Sequence, residues 1–290
     1  MMTRSIDRIG GTFVAEVRGI DLAHDLDDAA TWKLIHQAYL NHKVLIFRNQ
    51  DLTSEQFCTF GERFGEIEPH TIRKFWHPDH PGITILSNRT EYGRPKGIRD
   101  AGSYWHSDYS YRKRPANVTM LYALEVPEEG GDTLVADLAA AYDALTPQMQ
   151  ERLAGLCYRG QYRWHKDRNH PESMWQLLTP EERAQNPEVD HPVVRTHPET
   201  GQRSIFVFPS YGAGIKGIVG WAEAESEALL QTLYDHVTDA RFQYRFKWPG
   251  PGTVLLWDNR CTMHAATTNV LPPDHFRTLY RISTIGDIPC

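Results

Sequence analysis

Residues 118–136 read VTMLYALEVPEEGGDTLVA, and this stretch contains the pattern that decides the fold. An apolar run over 118–124 is followed by the turn signal Glu-Glu-Gly-Gly at 128–131, and a second apolar run covers 133–136. Short apolar runs bounded by glycine and acidic residues are typical of strands joined by a turn. The stretch therefore predicts two consecutive strands of a sheet.

The same pattern dominates the second half of the chain. Further strands are predicted over residues 193–196, 204–208, 242–248, 253–257 and 276–285. Helices are predicted over 139–145, from the Thr-Pro pair at 146–147, and along an amphipathic run ending at Val237. The first half predicts a helix capped by Asp27 or Asp28, a buried strand over 43–47, and a helix from Thr53 to Gly65. Early helices followed by many short strands indicate a mainly β fold with helical support, a sandwich or a barrel.

No repeat or Gly/Ser-rich linker divides the chain, so residues 1–290 are predicted to form a single domain. Residues 66–104 are rich in Gly, Pro, His and Arg and are interpreted as long loops that could form a lid. Residues 162–191 are polar and proline-rich and are interpreted as an excursion over the core. Because no phosphate-loop or dinucleotide glycine pattern is present, a nucleotide cofactor is not expected.

Composition excludes several classes of function. The net charge is −6 with Lys and Arg scattered along the chain, which does not favour a nucleic-acid partner. No apolar run approaches the roughly 20 residues needed to cross a bilayer, so no membrane association is expected. The four cysteines are far apart and contain no C-x-x-C, which argues against a disulfide framework or a zinc–cysteine site. The first residues lack a secretory apolar stretch, and we therefore expect a cytoplasmic protein.

The sequence Tyr-Trp-His-Ser-Asp at 104–108 is a candidate metal-binding segment. On an extended segment His106 and Asp108 point the same way, because side chains alternate with a period of two. A third ligand is available in His264, which follows the predicted strand over 253–257. Two histidines and one carboxylate leave coordination positions open, an arrangement that suits non-heme Fe(II) and O2 chemistry.

Simpler interpretations remain open for these residues. A second H-x-D triplet, His165 and Asp167, shows that the pattern also arises by chance, although it lies in a polar region with no nearby predicted strand. His106 and Asp108 could form a surface polar pair, and His264 could be a hydrogen-bonded structural histidine.

Arg277 and Arg281 lie on one face of the predicted strand over 276–285, together with Leu279. Their backbones are separated by about 13 Å at ~3.3 Å per residue, so the two arginines are not expected to bind the same carboxylate. We expect two anions instead, one arginine holding the far carboxylate of an oxoacid and the other facing a second acidic ligand. The alternative is an exposed edge strand protected by charges.

Taken together, the motifs at 105–108, 125–133 and 257–264, with the two arginines, resemble the taurine dioxygenase/TfdA family. The resemblance covers nearly the whole chain. Members of that family are Fe(II)- and 2-oxoglutarate-dependent dioxygenases, so the resemblance implies Fe(II), 2-oxoglutarate and O2. It also implies a double-stranded β-helix, the jelly roll of the clavaminate synthase-like type.

The resemblance also implies roles for individual residues. His106, Asp108 and His264 would bind the iron, and Thr133 with Arg277 would bind the far carboxylate of 2-oxoglutarate. Arg281 would contact the acidic group of the primary substrate. His70 would also contact the substrate, or it could be an ordinary loop histidine. Aromatic residues that could line the pocket, or simply belong to the core, are Tyr104, Trp105, Tyr109, Phe206, Phe208 and Tyr211.

The expected function is hydroxylation of a small anionic compound, such as a sulfonate, a sulfate ester, an aryloxyalkanoate or an amino-acid-like acid, with release of succinate and CO2. Desaturation or oxidative rearrangement with the same cofactors is the main alternative. A metal-binding homologue without activity and a non-oxidative, cupin-like hydrolase or isomerase are further alternatives. Because homo-oligomers are common in the family, we expect a homodimer or a homotetramer.

Overall fold

Short apolar segments pair into sheets in the computed structural model, which describes residues 3–71, 73–162, 179–209 and 214–290. The strands are β1 (Ser5–Arg8), β2 (Val14–Arg18), β3 (Val44–Phe47), β4 (Thr84–Ser87), β5 (Thr90–Glu91), β6 (Arg94–Pro95), β7 (Ala116–Glu125), β8 (Thr133–Asp137), β9 (Cys157–Gly160), β10 (Val189–Pro192), β11 (Val194–Thr196), β12 (Arg203–Ile205), β13 (Ile215–Ile218), β14 (Gln243–Phe246), β15 (Val254–Asp258), β16 (Thr262–Ala266) and β17 (Thr278–Ile285). The helices are α1 (Ala29–His42), α2 (Ser54–Glu62), α3 (Leu138–Asp143), α4 (Pro147–Leu153), α5 (Pro180–Ala184) and α6 (Glu223–Val237).

The largest sheet has seven strands in the order β1-β2-β3-β15-β7-β17-β4. All its neighbouring strands are antiparallel except the parallel pair β2 and β3. In β7 the alternation of side chains sends Met120 and Tyr122 to one face, and Leu121 and Ala123 to the other. Both faces of this strand are therefore buried, which explains its continuous apolar sequence.

Helices α1 and α2 cover the outer face of the large sheet. Asp28 caps α1 by accepting a hydrogen bond from the backbone of Ala30, and Thr53 forms the predicted capping box with Gln56. Side chains from both helices pack with the outer face of β7, including the fully buried Phe57. The sequence therefore predicted both helix starts correctly, whereas α2 ends at Glu62, three residues before the predicted end.

A three-stranded sheet, in the order β14-β8-β16, lies opposite the inner face of the large sheet. Val135 from β8 and Phe246 from β14 pack in one core with Leu121 and Trp257 of the large sheet. A third core is formed by side chains of α3 and α6 and of residues around the hairpin of β11 and β12. The inner faces of β7, β15 and β17 therefore pack against the three-stranded sheet.

The structure confirms a mostly β fold with helices, and also contains strands that the sequence did not predict. Residues 84–87 form β4, which pairs with β17, although the surrounding segment was interpreted as loops. Residues 189–192 form β10, paired with β9, at the end of the predicted excursion. Residues 163–178 of that excursion, which include His165 and Asp167, lie outside the described residues. Among the helices that the structure describes, none is long and apolar enough to span a membrane.

Candidate active site

His106 and His264 are brought together by their backbones. The N–H of each residue donates to the carbonyl of the other, at 2.9 and 2.8 Å, which forms an isolated antiparallel bridge. His264 lies within β16, a strand that the sequence did not predict, and not in a loop after β15. Because residues directly opposite each other in such a bridge project their side chains to the same face, the two imidazoles meet, with ring centroids 4.1 Å apart.

Asp108 completes a compact group with the two histidines. Its carboxylate oxygens lie 3.7 Å from Nε2 of His106 and 3.6 Å from Nε2 of His264. One ligand atom from each residue falls within 4.8 Å of the others, so the three side chains could hold one metal ion. The sequence prediction that these three residues lie together is therefore confirmed by the geometry.

The protonation of the two histidines suits metal binding. Nδ1 of His106 lies 2.8 Å from the carbonyl oxygen of Tyr104, which can only accept, so this nitrogen carries the proton and Nε2 keeps its lone pair. Burial lowers the pKa of His106 and lowers that of His264 well below the usual range. Neutral imidazoles are the form that ligates a metal ion.

Two side chains contact the Asp108 carboxylate, and a third holds the Asp108 backbone and one of these two side chains. Arg281 contacts one oxygen at 2.7 Å, and the hydroxyl of Thr119 donates to the other at 2.6 Å. The side-chain oxygen of Asn259 accepts the backbone N–H of Asp108, and its amide N–H donates to Thr119. Although burial opposes ionisation, the Arg281 charge and the hydrogen bond from Thr119 lower the pKa of Asp108, which keeps it a carboxylate.

Replacing Thr119 with valine is expected to weaken metal binding by roughly tenfold, because groups that orient a metal ligand typically contribute 10- to 100-fold to affinity. Valine keeps the shape of the side chain but removes the donor to Asp108 and the acceptor for Asn259. Anaerobic Fe(II) titration measures the effect, with Thr119→Ser, which retains the hydroxyl, as the matched control. Equal affinity for the valine and serine variants would contradict this role.

Arg281 lies on the inner face of β17, as predicted, and is buried. The acid that it contacts in the structure is Asp108, a residue of the protein itself. The sequence analysis expected this arginine to face a second acidic ligand, the acidic group of the primary substrate, and did not predict an ion pair with an acid of the protein. Arg281 also lines the same cavity as the two histidines, so a substrate contact is compatible with its position.

Arg277 lies one residue before β17 and is also buried, at 4% exposure. In the described part of the chain no carboxylate lies within ion-pair distance of its guanidinium, and Nε has no hydrogen-bond partner. Burial lowers the pKa of Arg277 to about 10, with Asp132 opposing the change, so the group is still charged at neutral pH. A buried cation without an acid is unfavourable unless an anion binds. The residues present therefore fit a carboxylate ligand.

Thr133 begins β8 and lines the same cavity as Arg277. The indole N–H of Trp248 donates to the Thr133 hydroxyl at 3.2 Å, and the Arg277 guanidinium lies 5.8 Å from the centroid of the indole ring. The glycine turn before β8 packs against the arginine stem, since a Cβ on Gly131 would lie 3.0 Å from Cδ of Arg277. The turn signal in the sequence thus forms part of this site.

His70 lines the cavity, as do side chains from the predicted lid segment and both sheets. The tyrosines that line it are Tyr104, Tyr109, Tyr111 and Tyr162. Of the other aromatic candidates, Trp105, Phe206 and Phe208 pack in the core with α3 and α6. Tyr211 lies outside the described residues.

A second group of potential metal ligands comprises His197, Asp258 and Cys261. Its carboxylate is already paired: Arg260 contacts both oxygens of Asp258, and His197 donates at 2.9 Å. Burial opposes ionisation, but Arg260 and His197 lower the pKa of Asp258. The group is therefore an ion-pair network of the core, adjacent in sequence to Asn259.

Thr119, Asn259 and Trp248 were missed by the sequence analysis. Asn259 lies in the quoted motif at 257–264, and its position between two strands was the available signal. Thr119 lies in an apolar run and Trp248 ends a run of alternating apolar and polar residues, and neither pattern distinguishes them from core residues.

Comparison with known proteins agrees with this geometry. A model of the taurine catabolism dioxygenase TauD, TfdA family matches residues 5–283. Pentalenolactone F synthase from Streptomyces arenae is 32% identical over 97% of this chain and 94% of its own length. The alpha-ketoglutarate-dependent 2,4-dichlorophenoxyacetate dioxygenase from Cupriavidus pinatubonensis is 33% identical over 95% of each chain. The crystal structure of a taurine dioxygenase from Burkholderia xenovorans is 34% identical with a TM-score of 0.78, covering 99% of this chain and 91% of that one.

These similarities define the class of the protein, which is an Fe(II)- and 2-oxoglutarate-dependent dioxygenase, an oxidoreductase that uses O2. More narrowly, the chain belongs to the taurine catabolism dioxygenase TauD, TfdA family. The resemblance inferred from its motifs is confirmed.

Proposed function

We propose that His106, Asp108 and His264 hold the Fe(II), and that Thr133 and Arg277 hold the far carboxylate of 2-oxoglutarate. The observation that carries this proposal is Arg277, a buried cation without an acidic partner in the described residues, in the same cavity as a complete His-Asp-His group. We extend the proposal to the fold: the large sheet and the sheet of β14, β8 and β16 form the two halves of a jelly roll.

Fe(II) with 2-oxoglutarate and O2 supplies the oxidising power for C–H hydroxylation, with succinate and CO2 as co-products. The protein holds the reacting groups in place and excludes water from them. Thr119, Asn259 and Arg281 fix the orientation and charge of Asp108. Arg277 and Thr133 set the position of the oxoacid through charge-assisted hydrogen bonds.

The substrate that the cavity supports best is a small organic anion. Arg281 and His70 line the cavity and supply positive or polar groups, and the four tyrosines provide walls for an apolar body. Ser110 adds a buried hydroxyl without a hydrogen-bond partner among the described residues. Sulfonates, sulfate esters and aryloxyalkanoates combine an anionic group with such a body. We further propose that residues 66–104, which contribute His70 and Tyr104, act as a lid over the cavity.

The proposal is tested by anaerobic titration of the protein with Fe(II) and then 2-oxoglutarate, followed through the visible charge-transfer band of the iron–oxoacid chelate. We expect the band in the wild type and its loss in His106→Ala. A panel of alkanesulfonates, alkyl sulfates and aryloxyacetates is then added, each with its neutral amide or alcohol as a matched control. An anion that shifts the band and, once O2 is admitted, is consumed in a 1:1 ratio with succinate formation supports the proposal. Equal effects of the neutral compounds would overturn the anion assignment.

Desaturation or rearrangement of a substrate is the second candidate function, because one relative at 32% identity is a synthase, pentalenolactone F synthase. The same cavity and cofactors serve both outcomes. Product mass separates them, since hydroxylation adds one oxygen atom and desaturation removes two hydrogens.

A further inference from the structure

Trp248 follows β14 and is buried at 6% exposure, between two residues that the proposed function assigns to 2-oxoglutarate. Its indole N–H donates to Thr133, and its ring lies 5.8 Å from the Arg277 guanidinium carbon. The tryptophan therefore contacts both groups without lining the cavity as Thr133 and Arg277 do.

The hydrogen bond fixes what the Thr133 hydroxyl can do. An indole N–H is a donor only, whereas a hydroxyl has one hydrogen to donate and two lone pairs. Because Trp248 occupies a lone pair of Thr133, the hydroxyl hydrogen must point elsewhere, and the described residues offer it no acceptor. A hydroxyl that already accepts a hydrogen bond is also a better donor, since neighbouring hydrogen bonds polarise one another. Thr133 is thereby prepared to donate to an anion in the cavity.

The ring has a second consequence, for Arg277. A guanidinium near the face of an indole is stabilised by the ring quadrupole, most strongly where water is excluded. Arg277 has no acid within ion-pair distance in the described part of the chain, so the indole compensates in part for its burial. It does so without neutralising the charge that a carboxylate ligand needs.

From these contacts we propose that Trp248 is a positioning residue for the cosubstrate: it orients the Thr133 hydroxyl toward the far carboxylate of 2-oxoglutarate and supports Arg277 beside it. The proposal rests on the proposed assignment of Thr133 and Arg277. It makes Trp248 a determinant of selectivity for a dicarboxylic oxoacid over a monocarboxylic one, because only the far carboxylate meets the oriented hydroxyl.

The test measures equilibrium binding and not turnover. Anaerobic calorimetry of the Fe(II)-loaded protein compares 2-oxoglutarate with 2-oxovalerate, which carries a methyl group in place of the far carboxylate. Trp248→Phe retains an aromatic ring and removes the N–H. We expect this substitution to weaken the affinity for 2-oxoglutarate roughly fivefold, because one hydrogen bond is lost. The affinity for 2-oxovalerate should be unchanged.

The second part of the test repeats the comparison in a Thr133→Ala variant. In that background Trp248→Phe should have no further effect on 2-oxoglutarate, because the hydroxyl that it orients is absent. A fivefold loss that persists in the Thr133→Ala background, or that affects 2-oxovalerate equally, would show a packing role and overturn the inference. If the wild type bound no 2-oxoglutarate, or Arg277→Met bound it normally, the proposed cosubstrate site itself would fail.

A measurement on the wild type covers the case in which Trp248→Phe does not fold. The indole N–H signals of the eight tryptophans are recorded on 15N-labelled, Zn(II)-loaded protein with each oxoacid. Trp257, whose ring lies 4.3 Å from that of His264, should respond to both ligands. One further signal should shift with 2-oxoglutarate alone. If no indole signal distinguishes the two oxoacids, the inference is wrong.

Discussion

Replacing Arg277 with methionine is expected to weaken 2-oxoglutarate binding at least 30-fold. Truncating one partner of a buried, hydrogen-bonded charge pair typically costs about 2–5 kcal/mol, and the lower limit corresponds to about 30-fold in affinity. Methionine fills much of the same volume without the charge. Anaerobic calorimetry on the Fe(II)-loaded protein measures the change, and the affinity for Fe(II) itself should be preserved.

The same substitution should leave the ligand-free protein as stable as the wild type or more stable. The guanidinium of Arg277 is buried with no acid at ion-pair distance in the described residues, and such a charge destabilises the fold until an anion arrives. A residue retained for ligand binding at a cost to stability behaves in this way, whereas a structural arginine does not. Thermal unfolding without oxoacid therefore separates the two roles.

Arg241→Met is the matched control, because this arginine is largely exposed and lies at the far end of β14 from Trp248. It should change neither the unfolding temperature nor the affinity for 2-oxoglutarate. A lower unfolding temperature for Arg277→Met together with unchanged oxoacid affinity would show that Arg277 serves the fold and not the ligand.

The part of this site that the sequence predicted is the part with local signals. His106 and Asp108 share a direction because they are two residues apart, and Arg277 with Arg281 interrupts an apolar strand. The third ligand, His264, was suggested by a neighbouring strand, but the bridge that joins it to His106 spans more than a hundred residues. The strand itself, β16, is mixed in sequence and was not predicted; its pairing with β8 defines it.

The remainder depends on contacts that no local pattern contains. Residues 84–87 form a strand because β17, nearly 200 residues away, offers them a hydrogen-bonding edge. Nothing in the sequence distinguishes Thr119 from other strand threonines, and only the structure shows its hydroxyl 2.6 Å from the Asp108 carboxylate. The partner of Arg281 shows the same limit: alternation placed both arginines on one face and the expected partner was an acidic ligand, whereas the fold pairs Arg281 with Asp108 of the chain itself.

Substitution of Gly102 by alanine is expected to weaken Fe(II) binding by roughly 10- to 100-fold, the range typical of residues that orient a metal ligand. Gly102 has φ +70°, and a Cβ there would lie 2.6 Å from Cε1 and 3.3 Å from Nε2 of His106. The imidazole cannot simply turn away, because its Nδ1 is bonded to the Tyr104 carbonyl. Nor can Gly102 withdraw freely, since its carbonyl accepts the N–H of Ala266 at 2.7 Å.

Gly93→Ala separates this contact from backbone strain. Gly93 has nearly the same torsion, φ +75°, but nothing lies within 4 Å of the Cβ it would acquire. Both alanines carry the penalty of a left-handed conformation, about 1 kcal/mol of unfolding free energy. Only Gly102→Ala also displaces the ring that carries a metal-binding nitrogen. Anaerobic Fe(II) titration should therefore show a lower Fe(II) affinity for Gly102→Ala and an unchanged one for Gly93→Ala. Equal affinities would mean that the His106 ring adapts without losing its ligand geometry.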